Sequence, residues 1–139
     1  MSRPDDATID RMIAAARAAR EDAYAPYSDF WVGAAVLADI EIYPAPNIEI
    51  ASYPLSVCAE RNAVALAVTA RHRAIEAVAV VGSSPRGITP PCGACRQVLF
   101  EFGGPELVVI GESLAGDERA MWRLDELLPA AFGPRDLGR

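Results

Sequence analysis

Three cysteines and a single histidine are the residues of this chain best suited to chemistry. Cys92 and Cys95 lie in Pro91-Cys92-Gly93-Ala94-Cys95. With Pro91 preceding or opening a helix, side chains three apart share one helical face, so both sulfurs can reach one ion. Cys58 stands 34 positions before Cys92, in Cys58-Ala59-Glu60, at the expected start of another helix. Helix N-termini present free N–H groups and the positive end of the dipole, which favours thiolate over thiol. Two helix starts would therefore bring three thiolates to one small space.

Several kinds of chemistry use such residues. A redox pair of the thioredoxin sort is one, although a proline stands where a tryptophan would precede the first cysteine. An iron–sulfur cluster usually asks for four cysteines, and a structural zinc for four protein ligands. The only histidine, His72, lies 14 residues beyond Cys58 on the same expected helix, roughly 20 Å away at the helical rise. Closing a Cys₃His site would require that helix to break. Inert core cysteines are the remaining reading for any one thiol. An open zinc fits best: three protein ligands leave a position for water and lower that water's pKa. Glu60, two residues from Cys58 and not itself a ligand, can take and return a proton. Arg61 is placed to donate to thiolate sulfur and to offset the −1 charge of three thiolates on Zn²⁺.

The elements that must position these residues follow from periodicity and breakers. Asp6 is the expected N-cap of a first helix carrying Ile9, Met12, Ile13, Ala16, Arg20 and Ala23 at helical spacing, ended by Pro26. Phe30 to Leu37 reads as a buried strand and Glu41 to Tyr43 as the start of a second. Pro44 and Pro46 cannot donate ladder hydrogen bonds, so that second strand should lie at an edge or end early. Ala59–Arg71 reads as a helix, Ala77–Val81 as a strand, and Cys92–Phe102 as a helix closed by Gly103-Gly104-Pro105. Leu107–Ile110 is a further strand, Ala120–Leu124 a fifth, and Leu124–Ala131 a short helix. Adjacent strands imply an antiparallel hairpin and the later alternation implies parallel crossovers. The expected fold is an α/β domain over residues 1–139, a three-layer α/β/α sandwich with a mixed five-stranded sheet.

Composition narrows the partners. The 139 residues are 52% hydrophobic with a net charge of −6, and all thirteen basic residues are arginine. Such a surface repels nucleic-acid phosphates, and the lack of lysine excludes Schiff-base chemistry. The polar start, Met1 to Asp6, has no apolar core of a signal peptide, and no apolar run spans a membrane. Three cysteines make a poor disulfide framework, so a cytoplasmic setting is expected.

The pattern Cys-x-Glu followed by Pro-Cys-x-x-Cys is the three-cysteine form of the zinc nucleobase-deaminase motif. With its flanks, the chain resembles the cytidine deaminase family of the short, homotetrameric kind. Tyr27-Ser28-Asp29-Phe30-Trp31-Val32-Gly33-Ala34-Ala35, Asn47-Ile48-Glu49, Ala51-Ser52-Tyr53-Pro54-Leu55, Cys58-Ala59-Glu60-Arg61, Cys92-Gly93-Ala94-Cys95-Arg96-Gln97-Val98, Glu126-Leu127-Leu128-Pro129 and Phe132-Gly133-Pro134 carry the likeness. The resemblance implies Zn²⁺ held by Cys58, Cys92 and Cys95, with Glu60 as the catalytic proton shuttle. In such enzymes hydroxide attacks C4 of the cytosine ring while the glutamate protonates N3 and helps the amine leave as ammonia. It also implies that Asn47 and Glu49 bind the ribose hydroxyl at the 3′ position, that Phe30 packs on the pyrimidine, and that Ala59 lies among the substrate contacts. Phe132 would reach the base from a neighbouring subunit, and Tyr53 would serve a neighbouring site.

Departures from the family cluster between residues 40 and 50. Asp39-Ile40 replaces an Asp-Gly turn, Ala45-Pro46 replaces a glycine and a small residue, and Ile50 replaces an asparagine. Either the hairpin is remodelled without consequence, or the preference moves to another aminopyrimidine or aminonucleoside. A non-catalytic structural zinc module is the alternative from another class.

Overall fold

Ile9, Met12, Ile13, Ala16 and Ala19 recur at helical spacing and are all buried, which makes one face of α1 (Asp6–Arg20) an apolar stripe. The computed structural model describes residues 3–139; Met1 and Ser2, part of the polar start noted above, lie outside the described residues. The cap of α1 is Asp5, whose carboxylate accepts from the Thr8 N–H at 2.8 Å, one residue earlier than expected. The helix stops at Arg20 rather than Ala23, because the Tyr24 N–H donates to the Asn47 carbonyl instead of continuing the turn.

Five strands follow as β1 (Gly33–Ala38), β2 (Glu41–Pro46), β3 (Ala77–Val81), β4 (Val108–Glu112) and β5 (Arg119–Arg123). Their order in the sheet is β2-β1-β3-β4-β5. Only the β3–β4 pair is parallel; the other three neighbouring pairs are antiparallel. The expected mixed sheet of five strands is therefore present. β1 is buried along its whole length, as are β3 and β4. Alternate residues feed two cores: Ala35, Leu37, Ala79 and Ile110 pack with α1, and Ala34, Val36, Val80 and Val109 face the opposite layer. That second layer contains α2 (Ala59–Thr69) and α3 (Gly93–Gly103), which pack against each other, with the short α4 (Leu124–Leu127) beside them.

The edge position of β2 agrees with its two prolines, and it pairs with β1 up to Pro46. Within the hairpin, Asp39 alone takes a positive φ (59°), which leaves the β-branched Ile40 in an ordinary conformation. Gly33 is needed where α1 crosses β1: a Cβ there would lie 1.9 Å from the Ala16 carbonyl oxygen.

Other expected boundaries move as well. Phe30 to Val32 precede β1 because the side chain of Asn47 takes up the Phe30 carbonyl and the Val32 N–H. α2 ends at Thr69, since Arg71 adopts φ 77° and the Arg71 and His72 N–H groups turn back to Val68 and Ala67. α4 ends at Leu127 instead of Ala131, just before Pro129 and an Ala130 of positive φ.

Candidate active site and metal centre

Cys58 is the N-cap of α2 and Cys92 the N-cap of α3, so two helix starts converge as the sequence requires. The three sulfurs lie within 4.8 Å of one another, with Cys58 Sγ 3.8 Å from Cys92 Sγ and Cys92 Sγ 3.5 Å from Cys95 Sγ. Tetrahedral coordination at a Zn–S length of about 2.3 Å requires sulfurs about 3.8 Å apart. The donor set and its spacing thus fit zinc. His72 takes no part: its Nε2 is 2.9 Å from the hydroxyl of Tyr43 on β2, and the cluster contains cysteines only.

The local electrostatics suit a thiolate at Cys58. Hydrogen bonding from the Cys95 thiol and from Arg61 brings the Cys58 thiol down to about 5, and Cys95, as donor to Cys58, is pushed up. Arg61 Nη2 lies 3.7 Å from Cys58 Sγ, as the offset of thiolate charge requires. Its Nε is the one buried side-chain polar atom without a hydrogen-bond partner among the described residues.

Glu60 and Glu112 are the two buried carboxylates of the described chain. Their surroundings differ. Glu112 is clasped by Arg17 at 2.6 Å and Arg119 at 2.9 Å, an arrangement that ties α1 to β4 and β5. Glu60 makes no such ion pair among the described residues, and burial raises its carboxyl to about 7, helped by the charge of Cys58. A buried carboxyl with no fixed counter-ion is suited to moving protons.

A cleft of about 630 Å³ opens over this cluster, a size suited to a small organic ligand. Cys58, Ala59, Glu60 and Cys92 form part of its lining, and Phe30, Asn47 and Glu49 stand on its walls. The structure therefore brings most of the expected site residues to one cavity. Tyr53 lies outside it, in a smaller hollow of about 300 Å³ shared with Tyr27, Ser28, Glu49 and Ser56. Phe132 is 59% exposed and also lies outside the cleft; its carbonyl accepts from Gln97 at 2.8 Å.

Asn47 and Glu49 are more occupied than a pair of free substrate ligands. Asn47 donates through Nδ2 to the Phe30 carbonyl and accepts from the Val32 N–H, both at 2.9 Å. Glu49 accepts from the N–H groups of Tyr27 and Ser28, each at 3.1 Å, and from the Ser28 hydroxyl. Ser28, Arg86 and Thr89 also line the cleft, beyond the site residues expected from the sequence. Ser28 sits in the segment quoted above for its family likeness; nothing in spacing or periodicity marks Arg86 or Thr89. The unusual residues Ile40, Ala45, Pro46 and Ile50 do not line the cleft. Ile40 is 80% exposed at the hairpin tip, and the Pro46 carbonyl accepts from Asn62.

The fold and the site define a class, and comparison with known proteins gives the same one. The model of the cytidine and deoxycytidylate deaminase zinc-binding region matches residues 6–112. The chain is 45% identical over 130 residues to a cytidine deaminase of Sporosarcina psychrophila, covering 93% of this chain and 94% of that one. A cytidine deaminase of Halalkalibacterium halodurans is 45% identical over 127 residues, covering 91% and 95% of the two chains. Among solved structures, cytidine deaminase from Burkholderia pseudomallei superposes with a TM-score of 0.83 at 47% identity, covering 88% of this chain and 98% of that one. This chain belongs to the cytidine and deoxycytidylate deaminase family, whose members share this zinc-binding region.

Proposed function

We propose that the protein deaminates cytidine and deoxycytidine to the corresponding uridines with release of ammonia, holding zinc through Cys58, Cys92 and Cys95. The observation that carries this is the convergence of three sulfurs within 4.8 Å, with Cys58, Cys92 and buried Glu60 lining the cleft. Relatives at 45% identity over nearly the whole chain are cytidine deaminases, which supports the same substrate.

Zinc, when bound, supplies Lewis acidity and a water activated at neutral pH. The chain's own residues do the rest. Glu60 holds and moves the proton, delivering it to N3 of the ring and then to the departing amine, because an amine leaves only once protonated. Arg61 offsets the charge of the thiolates from the side of Cys58. Phe30 offers a face for the pyrimidine. Asn47 and Glu49 receive a sugar hydroxyl with the hydrogen-bonding capacity that remains to them: one Nδ2 proton and the one unfilled lone-pair position of the carboxylate.

We place this activity in the cytoplasm and in a homotetramer. No helix of the described residues is long and apolar enough to cross a membrane. Tyr24, Tyr27, Ile48, Ile50, Tyr53 and Leu55 are all at least 40% exposed in or beside the arm that follows β2, an apolar surface suited to other copies of the chain. Exposed Phe132 and Tyr53 then complete neighbouring sites. Free nucleoside, rather than polynucleotide, agrees with the net charge of −6.

The test is zinc analysis paired with ammonia release from cytidine, deoxycytidine and other aminopyrimidine nucleosides. One zinc per chain and turnover of the first two, both lost on chelation and restored by zinc, are expected. Zinc-loaded, folded protein that releases no ammonia from any of them would make the centre structural.

A further inference from the structure

Ser28 has the only hydroxyl bonded to the Glu49 carboxylate among the described residues, and its single proton is committed there. The same oxygen accepts the Phe30 N–H at 3.0 Å. Ser28 therefore links the residue proposed to face the pyrimidine to the residue proposed to face the sugar. The segment is held in a turn in which Asp29 takes φ 57°, and its backbone gives Glu49 two further N–H bonds at 3.1 Å. Those two both go to Oε1, while the Ser28 hydroxyl goes to Oε2.

The two carboxylate oxygens are thus unequally loaded. Oε1 has both its lone-pair positions taken, and Oε2 has one free. Ser28 and Glu49 also line both the catalytic cleft and the smaller hollow behind it. They stand between two open spaces, and the hydrogen bonds to the Glu49 carboxylate among the described residues all come from Tyr27 and Ser28. Hydrogen bonding, above all from Ser28, holds the Glu49 carboxyl in its ionised form.

We propose that Ser28 is a positioning residue for sugar recognition: its hydroxyl orients Glu49 so that the free position on Oε2 accepts a hydroxyl of the nucleoside sugar. The inference rests on the reading of Glu49 as a sugar ligand. Loss of the Ser28 hydroxyl leaves the backbone bonds to Oε1 but frees Oε2 to turn towards water. The cost falls on binding of the sugar hydroxyl and not on chemistry at the ring.

The experiment compares the zinc-loaded parent with Ser28→Ala and Ser28→Thr on cytidine and on 3′-deoxycytidine, reading kcat and KM separately. Ser28→Ala is expected to raise KM for cytidine about tenfold, the scale of one hydrogen bond to a charged group, with kcat changed less than about twofold. On 3′-deoxycytidine, which lacks the hydroxyl, its KM is expected to change less than about twofold, and Ser28→Thr is expected to retain parental KM on both. Equal losses on the two substrates, no loss on either, or a Ser28→Ala chain that does not fold would overturn the proposal, because the hydroxyl would then be dispensable or part of the scaffold. A Ser28→Thr protein as impaired as Ser28→Ala would overturn it too. A parent that binds the two substrates equally would instead remove the sugar role of Glu49 itself.

Discussion

Arg61 Nη2 lies 3.7 Å from Cys58 Sγ, three residues back at the N-cap of α2. The contact links the helix to its own first sulfur and places a positive charge against a cluster that would carry a net −1 with zinc bound. Replacing Arg61 with glutamine is expected to lower zinc affinity about 10–100-fold, the usual effect of removing a partner of a metal ligand. Competition against a chelator of known affinity measures it, and unchanged affinity would leave Arg61 a packing residue.

Glu60→Gln separates catalysis from metal binding. The carboxyl is buried, and burial raises it to about 7, so an amide of the same shape removes a strained ionisation without opening a cavity. The variant is expected to hold zinc as the parent does, to melt no lower, and to lose about 10²–10⁴ in kcat. Zinc content, thermal unfolding and ammonia release on one preparation test all three.

Asn47→Ala should act on stability as well as on binding. The substitution strips partners from the Phe30 carbonyl and the Val32 N–H, and Val32 is buried. A loss of about 1–3 kcal/mol is expected in urea unfolding, as for other unsatisfied backbone groups. Asn47→Asp keeps the acceptor for Val32 and should lose less. Equal stability of the alanine variant and the parent would mean that water replaces the amide.

Glu49 gives stability a dependence on acid. The Ser28 hydroxyl, followed by the backbone N–H groups, holds its carboxyl below the ordinary value of 4.5. A lowered folded-state pKa stabilises the protein above the unfolded value, and that contribution disappears as pH falls through the folded one. Stability measured from neutral pH downward should therefore fall below about pH 4.5, and Glu49→Gln should lose part of that slope. Parallel curves for the two proteins would show that Glu49 is not responsible.

What the sequence makes legible is chemistry that depends on local spacing. Cys92 and Cys95 share a helix start, and Cys58 and Glu60 share another, so the metal cluster and its carboxylate can be read without tertiary structure. The layers are legible for the same reason, since the apolar stripe of α1 and the unbroken apolar runs of β3 and β4 have their own periods. Side-chain contacts with distant backbone are not. Asn47 holding Phe30 and Val32 displaced the start of β1, and Arg17 reaching Glu112 across 95 residues left no local pattern. Arg86 and Thr89 enter the cleft on a loop whose path depends on the elements it joins.

The two outer strands have one further consequence. Pro44 and Pro46 thin the row of backbone donors on β2, while β5 begins and ends with arginine. Neither margin is a ready template for another chain to extend the sheet, since missing donors and edge charges both oppose such growth. Growth by addition of strands is therefore opposed at both ends of the sheet, so the fold carries its own protection against lengthening into fibres.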